Sequence, residues 1–193
     1  YTLSFSEDVQ QITESDLTVT GAESFSVAHP ANSDTATVTV TVSDGSTDNV
    51  SITVTSDIVD IAGNPLIEAV DGSQTVDTVN PEPPIIIVDD NDLTGTEAGS
   101  GVLTVSGEAQ SSIEVTLNGA VGNVVKTVSG SDGTPQLITL APEDIATLGE
   151  GAVQVFASQT DENGNISPTS AINSFVIDTI DPSVDTITDD QAG

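Results

Sequence analysis

The sequence predicts an all-β fold of sandwich modules in tandem, and three observations carry that prediction. Apolar residues alternate with Thr, Ser and other polar residues in short runs: Val38-Thr39-Val40-Thr41-Val42, Ser51-Ile52-Thr53-Val54-Thr55, Ile113-Glu114-Val115-Thr116-Leu117 and Val153-Gln154-Val155-Phe156-Ala157. A two-residue period places one set of side chains on a buried face and the other in water, as a half-buried strand requires. Turn-forming clusters separate the runs at Ser43-Asp44-Gly45-Ser46, Leu117-Asn118-Gly119, Gly130-Ser131-Asp132-Gly133 and Asp161-Glu162-Asn163-Gly164-Asn165. The chain also repeats itself. Asp60-Ile61-Ala62-Gly63-Asn64 returns as Asp161 to Asn165, Asp77-Thr78-Val79-Asn80-Pro81 as Asp178-Thr179-Ile180-Asp181-Pro182, and Glu7 as Glu108, each 101 positions on.

Short strands, regular turns and a module of about 100 residues predict immunoglobulin-like β-sandwiches, here without the Trp and disulfide of antibody domains. The first module covers 1–78 and lacks its opening strand, because Leu3-Ser4-Phe5-Ser6-Glu7 aligns with Leu103 to Glu108, well inside the second. Thr13-Glu14-Ser15-Asp16-Leu17 marks a crossover, and the runs at Val38 and Ser51 supply later strands. The second module, 79–180, is complete and opens on Pro81-Glu82-Pro83-Pro84-Ile85-Ile86-Ile87-Val88. Within it, Ala141 to Leu148 has a proline near its start and acids in its first turn, which predicts a short helix crossing between sheets. Residues 181–193, from Ser183-Val184-Asp185-Thr186 onward, read as the opening strand of a following module. The chain thus reads as part of something longer, and a tail from one molecule can supply the strand missing from another by β-strand addition.

Composition narrows the function. The 193 residues include 31 carboxylates, one lysine (Lys126), one histidine (His29) and no arginine, for a formal charge of -30. Such a surface repels nucleic acid and anionic membrane, and hard divalent cations are its natural complement. No run approaches the ~18 apolar residues of a membrane span, so direct membrane insertion is not expected. Cysteine is absent, which removes disulfides and thiol chemistry. The expectation is a protein that is not an enzyme: His29 precedes Pro30 in a loop with no partnered nucleophile, and no pair of carboxylates is accompanied by the aromatics of a glycosidase cleft. The alternative is a calcium-dependent carbohydrate- or surface-binding module. Against it, the aromatics are Tyr1 and four phenylalanines, and Phe5, Phe156 and Phe175 read as core, leaving no stacking platform.

The runs Phe5-Ser6-Glu7-Asp8-Val9, Asp60 to Pro65 and Val76-Asp77-Thr78-Val79-Asn80-Pro81 resemble the bacterial immunoglobulin-like repeats of giant RTX-type biofilm adhesins secreted by type I systems. Val105-Ser106-Gly107-Glu108-Ala109 and Asp161 to Asn165 carry the same resemblance into the second copy. It implies an extender region: many sandwiches in series at the bacterial cell surface, with Ca2+ at the linkers, holding a ligand-binding tip away from the cell. The partners it implies are neighbouring modules of the same long chain. Asn80 stands where the next joint has Asp181, and Glu162-Asn163 replaces Ile61-Ala62, so the oxygen set changes from joint to joint.

The residues suggest how such a site is built. In a sandwich of this topology one strand ends at Glu108 and the next-to-last ends at Asp161, at the pole that meets the incoming linker. Calcium there takes carboxylates from Glu108, Asp161 and Asp77, with oxygens of Asn163, Asn165 or Asn80 completing six to eight ligands. The same rule puts Glu7, Asp60 and Asn64 at the matching pole of the first module and turns Asp178 and Asp181 toward a following one. Asp89, Asp90, Asp92 and Glu97 form a second candidate cluster at the opposite pole; it fits no EF-hand, since the glycine and final glutamate are misplaced and no flanking helix is expected. The competing explanation is that Asp-x-x-Gly-Asn is only a good hairpin and Asp-Thr-x-x-Pro only a linker.

Overall fold

A computed structural model describes every residue of the chain except 56, 69, 90, 91, 131 and 187–193. With 46% strand and 7% helix in several small sheets, the protein is all-β. It divides into two compact units, Tyr1–Val79 and the remainder from Asn80.

The first unit contains β1 (Thr2–Val9), a 3-10 turn (Glu14–Asp16), β2 (Leu17–Thr20), β3 (Ser24–Ala28), β4 (Ser33–Thr41), β5 (Asn49–Val54) and β6 (Asp71–Thr75). They make two three-stranded sheets, β1-β4-β3 and β2-β5-β6. Alternation in β4 turns Ala36 and Val38 inward, where they meet Ile52 and Val54 of β5 in one core that also buries Val9, Ile12, Leu17 and Ile58. At the expected crossover, the Asp16 carboxylate accepts the Thr13 amide at 2.7 Å and its hydroxyl at 2.8 Å, closing a single turn. His29 is a buried staple. Its Nδ1 accepts the Ile12 amide at 3.1 Å, which leaves the proton on Nε2 to bond the Ser33 carbonyl at 3.1 Å.

The second unit contains β7 (Ile85–Val88), β8 (Asp92–Leu93), α1 (Gly95–Ala98), β9 (Leu103–Ser106), β10 (Ser112–Asn118), β11 (Asn123–Ser129), β12 (Gln136–Ile138), α2 (Pro142–Leu148), β13 (Gly151–Thr160) and β14 (Asn173–Ile177). A three-stranded sheet, β12-β9-β7, and a five-stranded one, β11-β10-β13-β14-β8, share one core. Leu103 and Val105 from the first sheet pack with Ile113, Val115, Val153, Val155 and Phe175 from the second. β7 runs antiparallel to β9 with Ile86 opposite Val105, and β8 runs parallel to β14. Pro142 opens α2, Asp144 accepts the Ala141 amide at 2.8 Å, and Lys126 on β11 bonds the same carboxylate at 2.5 Å. The single lysine of the chain thus ties this helix to the sheet.

Three sequence expectations change here. Phe156 is not core: on β13 the buried set is Val153, Val155 and Ala157, so strand alternation sends the intervening Phe156 to the outer face, half-buried. Phe5 is also only half-buried, packed against the edge of the first core, whereas Phe175 is fully enclosed. A one-turn helix, α1, follows the Asp89 to Asp92 segment where no helix was expected, because Thr94 and Glu97 form a reciprocal cap. Of the tail read as an opening strand, Asp181 to Thr186 form none in this structure, and 187–193 lie outside the described residues.

The repeat is visible in the fold. The isolated bridges Val59↔Pro65 and Thr160↔Ile166 are 101 positions apart, as are β5 and β13 or β6 and β14 to within a few residues. One strand breaks the correspondence: β3 pairs with β4, whereas β11, at the matching place in sequence, pairs with β10 in the opposite sheet.

Candidate metal-binding poles

The two Asp-x-x-Gly-Asn loops have the same internal bonding. In the first, the Asp60 amide donates to the Asn64 carbonyl at 2.9 Å, and the Asn64 backbone and side-chain amides donate to the Asp60 carboxylate at 2.8 and 2.7 Å. In the second, Asp161 and Asn165 exchange the same three bonds at 3.0, 2.8 and 2.8 Å, and the Asn163 amide adds a fourth at 2.9 Å. Gly63 and Gly164 sit at φ 92° and 93°, a left-handed conformation that a side chain disfavours, which is why the motif carries glycine there.

These bonds hold both carboxyls below their ordinary range. For Asp60 the Asn64 side-chain amide is the main cause, followed by the Asn64 backbone. For Asp161 desolvation is the largest influence and opposes ionisation, but the Asn165 side chain and the amides of Asn165, Asn163 and Gly164 together outweigh it. Each is therefore an ionised hard-oxygen donor. Asp161 Oδ2 accepts a side-chain amide while Oδ1 takes the backbone amides, and an oxygen with two lone pairs that accepts one proton keeps capacity for a cation. The donor chemistry fits calcium.

The joint motif also repeats. Asp77 accepts the Val79 amide at 2.9 Å and Asp178 the Ile180 amide at 3.1 Å, the same turn closed by the same side chain. The threonines between are anchored differently. Thr78 donates its hydroxyl to the Ser43 carbonyl at 2.8 Å and accepts the Ser46 amide at 2.9 Å. Thr179 donates its hydroxyl and, at 2.9 Å, its amide to Glu150, and these two bonds hold that carboxyl below its usual range.

Glu7 and Asp60 belong to converging segments, since Val9 bridges Asp60 and the Gln10 amide donates to the Val59 carbonyl at 3.0 Å. In the second unit the convergence is made by Gln159, which the sequence reading did not single out. Its Oε1 accepts the Glu108 amide at 2.9 Å and the Ser111 hydroxyl at 2.8 Å, and its Nε2 donates to the Glu82 carbonyl at 2.6 Å. One buried side chain thereby joins the Glu108 turn, the incoming linker and the strand that ends at Asp161. The signal was present: Gln159 continues the inward set Val153, Val155, Ala157, and 101 positions earlier stands the buried Ile58.

The remaining candidates are placed as follows. Asn80 and Asp181 are exposed, as are Asp89 and Asp92 near the opposite end of the chain's second unit. Glu97 accepts the Thr94 amide at 2.9 Å and hydroxyl at 2.7 Å, so its carboxylate caps α1. Asp90 lies outside the described residues. Among the described residues no three His, Cys, Asp or Glu side chains are gathered into one group; Asp77 belongs to the first unit, and Glu108 and Asp161 belong to the second. No helix among them is long and apolar enough to cross a membrane. No protein-family model matches the chain, and no curated protein matches it in sequence.

Proposed function

We propose that the chain is a non-catalytic spacer: two immunoglobulin-like modules from the extender region of a large bacterial cell-surface adhesin, with calcium locking the joint between modules. The observation that carries this reading is the recurrence of one hydrogen-bonded turn, Asp60 to Asn64 and Asp161 to Asn165, together with one joint turn, at Asp77 and Asp178, at a common offset. A solvated acidic surface has no reason to repeat oxygen donors at fixed loop positions. The immunoglobulin-like assignment is supported by the strand order of the second unit, in which β12-β9-β7 covers β10-β13-β14 around one core.

In this reading the ion supplies positive charge and multiple oxygen coordination at the joint. The protein's own residues do the rest. Asn165 and Asn64 keep their aspartates ionised and oriented, Gln159 fixes the linker carbonyl and the Glu108 turn, and Pro81, Pro83 and Pro84 stiffen the entry by fixing φ. Without a cation, carboxylates from adjacent modules repel across a short linker and the modules swing.

Small-angle X-ray scattering with EDTA, and then with calcium restored at fixed ionic strength, tests the reading. The expected result is a reversible change from a flexible ensemble to a rigid rod. Identical scattering in both conditions, with no calcium-dependent rise in melting temperature, would overturn the lock.

A further inference from the structure

The chain leaves the first unit stitched to a turn of that same unit. The turn is Ser43 to Asp48, between β4 and β5, and the departing segment is Val76 to Val79. The Val76 amide donates to the Asp48 carbonyl at 3.2 Å and the Thr78 amide to the Ser46 carbonyl at 2.8 Å, while the Thr78 carbonyl accepts the Gly45 amide at 3.2 Å. The Thr78 hydroxyl adds two more bonds, accepting the Ser46 amide at 2.9 Å and donating to the Ser43 carbonyl at 2.8 Å. The last group held is the Val79 amide, which the Asp77 carboxylate accepts at 2.9 Å. On the far side, Gln159 of the second unit holds the Glu82 carbonyl at 2.6 Å. Val79, Asn80 and Pro81 lie between the two clamps.

Sterics narrow the free torsions further. The ring of Pro81 fixes its φ, and Asn80, as the residue before a proline, is pushed out of the helical region into extended conformations. We infer that the hinge between the two units is confined to Val79 and Asn80, with the clamp on Thr78 ending it on one side and the Gln159 bond ending it on the other. The clamp on threonine recurs at the offset of 101 positions. Thr179 donates its hydroxyl and its amide to Glu150 of the second unit, and Asp178 accepts the Ile180 amide as Asp77 accepts that of Val79. Backbone groups of a turn do at the first joint what a carboxylate does at the second, so the threonine is the constant element and its partner varies.

A pivot of this kind lets each unit turn as a body while the chain on either side of the linker keeps the order of its own core. Thr78 is then a positioning residue, which sets where the first unit ends and free rotation begins. Neither calcium nor a spacer role enters this clamp. Its test runs in EDTA, where a failure of the calcium lock leaves it standing.

Backbone amide relaxation by NMR on the full chain gives the order along the linker, and hydrogen exchange gives the protection of the Ser46 amide. Order at the level of the strands is expected through Thr78 and again from Glu82, with a drop at Val79 and Asn80. Thr78→Val removes the hydroxyl with little change of shape, and thermal melting establishes that both units of the variant fold. It should lower the order of Asp77 and Thr78 and speed exchange of the Ser46 amide about 2- to 10-fold, the share of a single hydrogen bond. Thr78→Ser keeps the hydroxyl and should keep both readouts at the wild-type level. In the wild type, low order that reaches Thr78 or Glu82, or strand-level order at Val79 and Asn80, would overturn the inference. So would a Thr78→Val chain in which the Ser46 amide and the order of Thr78 are unchanged.

Discussion

The side-chain amide of Gln159 donates to the carbonyl of Glu82 at 2.6 Å, so a residue on the core face of β13 holds the linker that enters the second unit. The same side chain accepts from Glu108 and Ser111, and it is 2% exposed. Truncating it leaves the part-buried Glu108 amide without this acceptor and frees the linker, while the Ser111 hydroxyl keeps its bond to the Glu108 carbonyl at 2.8 Å.

Gln159→Ala is therefore expected to destabilise the second unit by about 1–3 kcal/mol, the cost of one part-buried amide left unsatisfied and of the lost linker bond, plus a small cavity. Chemical denaturation monitored on that unit's transition checks it. A loss below about 0.5 kcal/mol, the scale of an ordinary surface change, would mean that water replaces the amide freely.

Acid should weaken both Asp-x-x-Gly-Asn turns. Asp60 and Asp161 have folded values below their unfolded ones, so their contribution is complete above the ordinary carboxylate value of about 4 and is lost as pH falls through the lower folded value. Melting temperature measured against pH should fall in that acidic window. Asp60→Asn and Asp161→Asn should each flatten the fall; if both retain the full slope, other carboxylates govern acid unfolding.

Asp77→Asn separates calcium binding from structure. An asparagine oxygen can still accept the Val79 amide, so stability in EDTA should change by less than about 0.5 kcal/mol. Saturating calcium at about 100 times Kd stabilises a one-site protein by roughly 2.7 kcal/mol, and the loss of one carboxylate should shrink that gain at the same calcium concentration. Paired melts with EDTA and calcium give the comparison, and an unchanged calcium response removes Asp77 from the ligand set.

His29 bridges Ile12 to Ser33 through both ring nitrogens. His29→Ala should cost the first unit about 2–3 kcal/mol from two unpaired backbone groups and lost packing. Hydrogen exchange should show the Ile12 amide exposed in the variant. Protection at wild-type level would show that the backbone finds another partner.

Much of the fold and the two turns of the candidate site were legible in the sequence. Alternation in β4, β5, β10 and β13 gave strands because side-chain direction in an extended chain follows from position alone. The Asp60 and Asp161 turns were legible for a similar reason: their hydrogen bonds close within five residues. The cap made by Glu97 was missed although Thr94-Gly95-Thr96-Glu97 is a local capping signature, which its acidic neighbours obscured.

What the sequence alone determined, then, was what near neighbours decide: strands, turns, the repeat and the charge. Tertiary structure decided the rest. β3 and β11 occupy matching places in sequence yet join opposite sheets, because a strand's partner depends on which distant edge it complements. The role of Gln159 was likewise fixed by folding, since its partners Glu82 and Glu108 are 77 and 51 positions away and only the packed sandwich brings their backbone groups within hydrogen-bonding reach.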